Sequence, residues 1–125
     1  MSYPSELKYT KDHEWIKLEG KVGIVGVTSY AVEQLGDVVY LELPKVGQTF
    51  KENETFGTIE STKTVSDLFC PVSGKVVEVN QKMIDSPELL ANDVYKEGWL
   101  IKLEVSGENK NLLSASDYES YIAGH

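Results

Sequence analysis

Lys63 stands in a segment whose residue types indicate a site for covalent modification. The stretch TIESTKTVSDLF has alternating, strand-like residues on both sides of Thr62-Lys63-Thr64. That turn lacks Gly, Asn and Asp, so it is not an ordinary two-residue hairpin turn. A lysine at such a tip presents an amine on a flexible stem, and acylating the amine removes its charge and can attach a long arm. The other interpretation is a turn lysine that is only solvated.

We expect no catalytic residue and no metal site elsewhere in the sequence. His13 has no nucleophile beside it, which favours a structural histidine. Cys70 is the single cysteine, so it forms neither an internal disulfide nor a cysteine zinc site, and we expect it to pack as a small apolar side chain. No phosphate-binding glycine loop and no metal-ligand spacing is present. The sequence therefore favours a protein that is not an enzyme.

The elements that position this lysine are predicted to be short strands. Runs of Val, Ile, Tyr and Leu are interrupted by Gly, Pro, Asn and Asp, which is typical of short strands joined by turns. The predicted strands are 14–18, 21–27, 37–42, 55–61, 65–69, 74–79 and 99–105. Three short helices are also predicted: 29–35 followed by Gly36 as a C-terminal stop, one that starts at Pro87 with Ser86 as N-cap, and 115–123 with Ser114 as N-cap. Tyr118, Tyr121 and Ile122 share one face of the last helix, which we expect to pack on the sheet.

Composition limits the classes of function. The 125 residues fit one domain, and the net charge of −8 disfavours binding to nucleic acid or to an anionic membrane surface. No run approaches the roughly 20 apolar residues of a membrane span. The single cysteine indicates a reducing compartment, and the N-terminus has neither signal nor transit character. We expect the bacterial cytoplasm, or the mitochondrial matrix if this is a trimmed eukaryotic form.

Five blocks in fixed order carry a family resemblance. They are YTKDHEWI, GDVVYLELPKVGQTF, ESTKTVSDLFCPVSGKVVEVN, SPELLANDVYKEGWLIKL and a C-terminal helix, together spanning residues 9–121. With these five blocks in this order, the chain resembles the H proteins of the glycine cleavage system. The resemblance implies a mainly β barrel-sandwich hybrid of the lipoyl/biotinyl-domain type with short peripheral helices, including a C-terminal one. It also implies a single carrier domain over residues 1–125, with lipoic acid in amide linkage to Lys63.

The resemblance further implies a carrier, since the difficult chemistry belongs to the cofactor. The expected partners are glycine decarboxylase (P protein), aminomethyltransferase (T protein), dihydrolipoamide dehydrogenase (L protein) and the lipoylating enzymes. The lipoyl arm would take the aminomethyl group of glycine from the decarboxylase to the transferase, and electrons to the dehydrogenase. The family often has Val and Ala where this chain has Thr62 and Thr64, but both threonines keep β-branched or small character.

Two other functions remain open from the sequence. The protein could be a lipoyl donor that supplies 2-oxo-acid dehydrogenases through a transferase. It could also be a β-sandwich interaction module whose Lys63 is never modified. The flanking threonines match neither biotin carriers, which place Met on both sides of the lysine, nor dehydrogenase lipoyl domains, which have Asp before it and Ala after it.

A loaded arm would end in a primary ammonium, and its link to sulfur is prone to hydrolysis. We hypothesise a cleft that holds this end away from water beside an acidic group. The candidates are Glu14, in the segment His13-Glu14-Trp15, and Asp67, four residues after the lysine. Each could instead be a solvated strand carboxylate.

Overall fold

Two antiparallel β-sheets form the molecule in a computed structural model that describes residues 3–124. Within that range the strands are β1 (Lys8–Tyr9), β2 (Glu14–Glu19), β3 (Val22–Val27), β4 (Val38–Glu42), β5 (Thr49–Phe50), β6 (Thr55–Ser61), β7 (Val65–Phe69), β8 (Gly74–Val79) and β9 (Ile101–Val105). The larger sheet has six strands in the order β1-β2-β3-β9-β8-β5, and the smaller has three in the order β4-β6-β7. This is the mainly β sandwich that the resemblance implies.

The strands agree closely with the sequence pattern. The bounds of β6, β7 and β8 are those predicted, and β2, β3, β4 and β9 differ from prediction by one or two residues at an end. The strands β1 and β5 were not predicted, because a two-residue strand carries no alternation to detect.

Four short helical segments flank the sheets in the described chain. They are α1 (Ser29–Leu35), α2 (Gln81–Asp85), a 3-10 helix (Pro87–Asn92) and α3 (Ala115–Ala123). The bounds of α1 and α3 are as predicted, and Ser114 Oγ accepts a hydrogen bond from Asp117 N as an N-cap does. The predicted helix after Ser86 is a 3-10 helix, and the Ser86 side chain makes no capping hydrogen bond. The helix α2 was not predicted.

The core lies between the two sheets and extends towards the C-terminal helix. Ile16, Val25, Leu41, Ile59 and Leu103 are buried in one continuous cluster. A second, aromatic cluster joins Tyr9 and Trp15 to Tyr118 of α3, with Tyr121 and Ile122 packed partly buried against it. The predicted apolar face of α3 is therefore confirmed, and α3 is attached to the larger sheet by this face.

Candidate functional site

Lys63 lies at the exposed tip of the β6–β7 hairpin, where the sequence places it. The tip is closed by Ser61, whose backbone N–H donates to the carbonyl of Thr64 at 2.8 Å. The buried Ser61 hydroxyl also accepts hydrogen bonds from the backbone N–H groups of Lys63 and Thr64, both at 3.1 Å. The Ser61 side chain thus bonds the turn's own backbone, as Asn or Asp side chains do in many turns.

A second contact ties the tip to the chain that follows α1. The backbone N–H of Thr62 donates to the carbonyl of Asp37 at 3.0 Å. The Lys63 stem lies across the neighbouring Gly36, where a methyl group would sit 3.3 Å from Lys63 Cε and 3.7 Å from Nζ. Gly36 has φ 86° and ψ −143°, a backbone conformation that is essentially restricted to glycine. The hairpin backbone is therefore held at two points, while the lysine side chain stays exposed.

A cleft of about 400 Å³ opens beside the tip. It lies between the turn at residues 12–14, the face of α1 that carries Tyr30 and Gln34, and hairpin residues 64–68. Both carboxyl groups that the sequence singles out, Glu14 and Asp67, line it. The cleft walls also include apolar side chains such as those of Val27 and Ile59.

Glu14 is buried in the wall of this cleft, with 2% of its surface exposed. The Thr10 hydroxyl donates to Glu14 Oε1 at 2.8 Å, and the Phe69 N–H donates to Oε2 at 3.4 Å. Burial raises the pKa of Glu14 to about 8 although these hydrogen bonds lower it, so this carboxyl keeps its proton to a higher pH than an ordinary glutamate does. The interpretation of Glu14 as a solvated strand carboxylate is therefore wrong. Asp67 is exposed, as that interpretation expects, yet it also borders the cleft.

His13 and Cys70, the other side chains that could take part in chemistry, have surroundings typical of structural residues. His13 is half-buried in the cleft wall, and its Nδ1 lies 2.8 Å from the Tyr118 hydroxyl. Cys70 is buried, and burial raises the pKa of its thiol to about 12, so it is not a thiolate nucleophile at neutral pH. Within residues 3–124, no group of three or more His, Cys, Asp and Glu side chains is arranged to hold a metal ion.

Sequence reasoning missed two residues that shape the tip. Ser61 had a local signal, since a serine directly before a turn without Gly, Asn or Asp can bond the turn's own backbone. Gly36 was predicted only as a helix stop, and its contact with Lys63 had no local signal because the two residues are distant in sequence.

In the described part of the chain, no helix has the length and apolar character needed to cross a membrane.

Comparison with known proteins agrees with this geometry. The family model for glycine cleavage H-protein matches residues 7–125. The chain is 59% identical over 120 residues to the glycine cleavage system H protein of Symbiobacterium thermophilum, covering 94% of each chain. It is 48% identical over 126 residues to that of Cyanothece sp., covering 99% of this chain and 98% of the relative.

A solved structure has the same fold. The crystal structure of a glycine cleavage system H protein from Mycobacterium marinum superposes with a TM-score of 0.92 at 44% identity, covering 97% of this chain and 99% of that one. The sequence match and the structural match each extend over almost the whole chain. This protein belongs to the glycine cleavage H-protein family, the non-catalytic lipoyl carriers of the glycine cleavage system.

Proposed function

We propose that Lys63 is the lipoylated residue and that residues 1–125 act as a single carrier domain. The observation that carries this proposal is an exposed amine on a hairpin tip whose backbone is held by Ser61 and by the Asp37 carbonyl. The amide would join Lys63 Nζ to the carboxyl carbon of lipoate, with loss of water overall. Because the tip backbone is held and the lysine side chain is exposed, the chain presents one reactive end at a constant position while the arm can swing.

The residues around the tip fit such a group. Lipoate supplies a dithiolane that carries the aminomethyl group of glycine and two electrons. The cleft begins at Thr64, the residue after the lysine, and its Val27 and Ile59 walls suit an apolar chain. The covalent bond therefore places the arm within reach of a surface that can shelter it from water.

The second part of the proposal is that Glu14 and Asp67 hold the ammonium end of the loaded arm. Asp67 offers a carboxyl at the exposed border of the cleft, and Glu14 offers one in its buried wall. A cation beside Glu14 would lower the pKa of its carboxyl from the value of about 8 that burial gives it, so the carboxyl would ionise as the arm enters. A charge-assisted hydrogen bond away from bulk water would then keep the arm in place.

The partners follow from the family. We propose that the lipoylating enzymes, glycine decarboxylase, aminomethyltransferase and dihydrolipoamide dehydrogenase all act on the arm at Lys63. The relatives described above include bacterial proteins, which supports the bacterial cytoplasm as the compartment we propose.

Intact mass measurement of the protein from its native host, with peptide mapping across residues 52–75, tests the modification. We expect the increment of one lipoyl group on Lys63 and none in Lys63→Arg, while Lys75→Arg keeps it. An unmodified Lys63 in a host that makes lipoate would favour the interaction module, and a biotin increment would overturn the cofactor.

Loading the lipoylated protein with methylamine tests the cleft. The half-life of the loaded arm should shorten in Glu14→Gln and in Asp67→Asn. The control is Glu42→Gln, because Glu42 is exposed and does not line this cleft. Half-lives equal to wild type in both cleft variants would contradict this role for the two carboxyl groups.

A further inference from the structure

The hydroxyl group of Tyr118 connects the C-terminal helix to two walls of the cleft. Tyr118 is fully buried, with 0% of its surface exposed. Its hydroxyl oxygen lies 2.8 Å from His13 Nδ1 and 2.8 Å from Thr28 Oγ1. One hydroxyl on α3 therefore joins the turn before β2 to the N-cap residue of α1.

Thr28 sets the position of α1. Its side-chain oxygen accepts a hydrogen bond from Ala31 N at 3.2 Å, which makes Thr28 the N-cap of the helix. That helix supplies the Tyr30 and Gln34 side of the cleft. A contact that fixes the Thr28 hydroxyl therefore also fixes the wall of the cleft that α1 supplies.

His13 sets the opposite wall. It lines the cleft, directly precedes Glu14 in the chain, and has φ 69°, a conformation that L-residues rarely adopt. Its ring lies 4.8 Å from the Tyr30 ring between centroids, so it also contacts α1. Holding the His13 ring therefore helps to hold the backbone that presents the Glu14 carboxyl.

The Tyr118 hydroxyl has enough donor and acceptor positions to bond to His13 and Thr28 at the same time. A tyrosine hydroxyl has one donor and two acceptor positions. Tyr118 can donate to His13 Nδ1 and accept from Thr28, or accept from a protonated Nδ1 and donate to Thr28 Oγ1. In the first arrangement Thr28 donates to Tyr118 while it accepts from Ala31 N, so the Tyr118 hydroxyl, His13 Nδ1 and the Thr28 hydroxyl are all satisfied. Either arrangement keeps both 2.8 Å contacts of the Tyr118 hydroxyl.

Tyr9 provides a matched comparison within the same cluster. It is also 0% exposed, and its ring stacks on that of Tyr118 with centroids 4.9 Å apart. Its hydroxyl, however, donates to the carbonyl of Pro4 at 2.6 Å and makes no bond to the cleft turn or to α1 among the contacts described. The two tyrosines share burial and stacking but differ in what their hydroxyl groups hold.

The geometry points to Tyr118 as a positioning residue for the arm-holding cleft, acting through His13 and Thr28. This inference rests on the proposed function of the cleft. The C-terminal helix then has a role beyond covering the sheet, since it sets the distance between the Glu14 side of the cleft and α1.

Tyr118→Phe and Tyr9→Phe test the inference, because each removes one buried hydroxyl and keeps the ring. We expect both variants to fold, with comparable falls in melting temperature. In the unmodified protein, Tyr118→Phe should shift the ring nitrogen resonances of His13 and speed amide exchange at Ala31 by about fivefold, the factor that one ordinary hydrogen bond corresponds to. In the methylamine-loaded protein, the half-life of the arm should fall by a similar factor of about five. Tyr9→Phe should leave the resonances, the exchange and the half-life unchanged.

The possible outcomes distinguish a failure of the positioning role of Tyr118 from a failure of the proposed function of the cleft. Equal effects of the two variants on the half-life would overturn the positioning role, because general destabilisation would then explain both. A shortened half-life in Glu14→Gln with a normal one in Tyr118→Phe would overturn only the role of Tyr118. A normal half-life in Glu14→Gln and Asp67→Asn would overturn the cleft function itself, and the positioning role with it. If Tyr118→Phe does not fold, His13→Phe replaces it, because it removes the Nδ1 partner of Tyr118 and leaves the Thr28 N-cap in place. A half-life equal to that of wild type in this variant would overturn the positioning role.

Discussion

The Thr10 hydroxyl donates a 2.8 Å hydrogen bond to Oε1 of Glu14 beside the cleft next to Lys63. The Glu14 backbone N–H returns a bond to Thr10 Oγ1 at 3.1 Å. The carboxyl is thus oriented by a neutral hydroxyl while burial opposes its charge. Such a group is ready to ionise when a cation arrives, and it is costly to ionise when none is there.

This arrangement predicts a pH-dependent stability. The pKa of Glu14 is about 8 in the folded protein and close to 4.5 in the unfolded chain, so the folded state binds the extra proton between these values. The free energy of unfolding should therefore fall as the pH rises through this window, by about 1 kcal/mol per pH unit from this group. Urea unfolding of wild type and Glu14→Gln from pH 5 to pH 9 measures it. The difference in the free energy of unfolding between the two proteins should change across the window. A constant difference would show that the pKa of Glu14 is not raised in the folded protein.

Ser61→Ala should weaken the lysine tip. The substitution leaves the N–H groups of Lys63 and Thr64 without their acceptor, which should cost about 1–2 kcal/mol of stability. The lipoylation rate by a lipoate ligase should fall as well, because the tip no longer holds Lys63 in one position. Ser61→Thr keeps the hydroxyl and should retain most of the rate, and Ser120→Ala on the exposed side of α3 is the control. Equal rates in Ser61→Ala and Ser61→Thr would show that the hydroxyl has no part in presentation.

Gly36→Ala should affect both backbone and arm. The positive φ of 86° makes alanine strained there by at least about 1 kcal/mol, and the methyl group displaces the Lys63 stem. Gly20→Ala is the control, since Gly20 has φ 62° and a methyl there meets no atom within 4 Å. Both variants should lower the melting temperature, and only Gly36→Ala should slow lipoylation. If the two slow it equally, the stem contact is irrelevant.

Exchanging Thr62 and Lys63 should abolish lipoylation while the fold survives. The backbone N–H of residue 62 is tied to the Asp37 carbonyl, so a lysine at this position points from a different place on the tip. Strand side chains alternate between faces, and a shift of one residue re-aims the amine. Mass spectrometry after incubation with the ligase reads the result, and circular dichroism checks the fold. Normal lipoylation of the exchanged protein would mean that the enzyme follows the amine wherever the tip places it.

Association with the decarboxylase should slow as salt rises. The net charge is −8, and three acids, Glu42, Glu60 and Asp67, lie on strands of the small sheet that ends in the lysine tip. Opposite charge on a partner would raise the association rate, and salt screens this effect. Stopped-flow rates for Glu42→Gln/Glu60→Gln should depend less on salt than those for Glu104→Gln/Glu108→Gln, which changes the net charge equally outside the small sheet. The same salt dependence in both double variants would exclude this sheet as the docking surface.

The local features of this protein could be predicted from its sequence. The strands β6 and β7 and the turn between them follow from alternation on either side of Thr62-Lys63-Thr64, and the ends of α3 follow from Ser114 and Gly124. These features depend on residues within a few positions of one another. The order of five sequence blocks also indicated the family, and the comparisons confirm it.

The state of the site was decided only by the tertiary structure. Glu14 reads as a polar residue at the start of a strand, but the chain around Phe69 and Thr10 buries it. The contact of Gly36 with Lys63, and the bridge from Tyr118 to His13, join residues far apart in sequence. Sequence patterns report the periodicity of one element, whereas burial, pKa and the shape of a cleft depend on which elements pack together. For this reason the sequence located the lysine, and only the packing of α1, α3 and the hairpin defined what surrounds it.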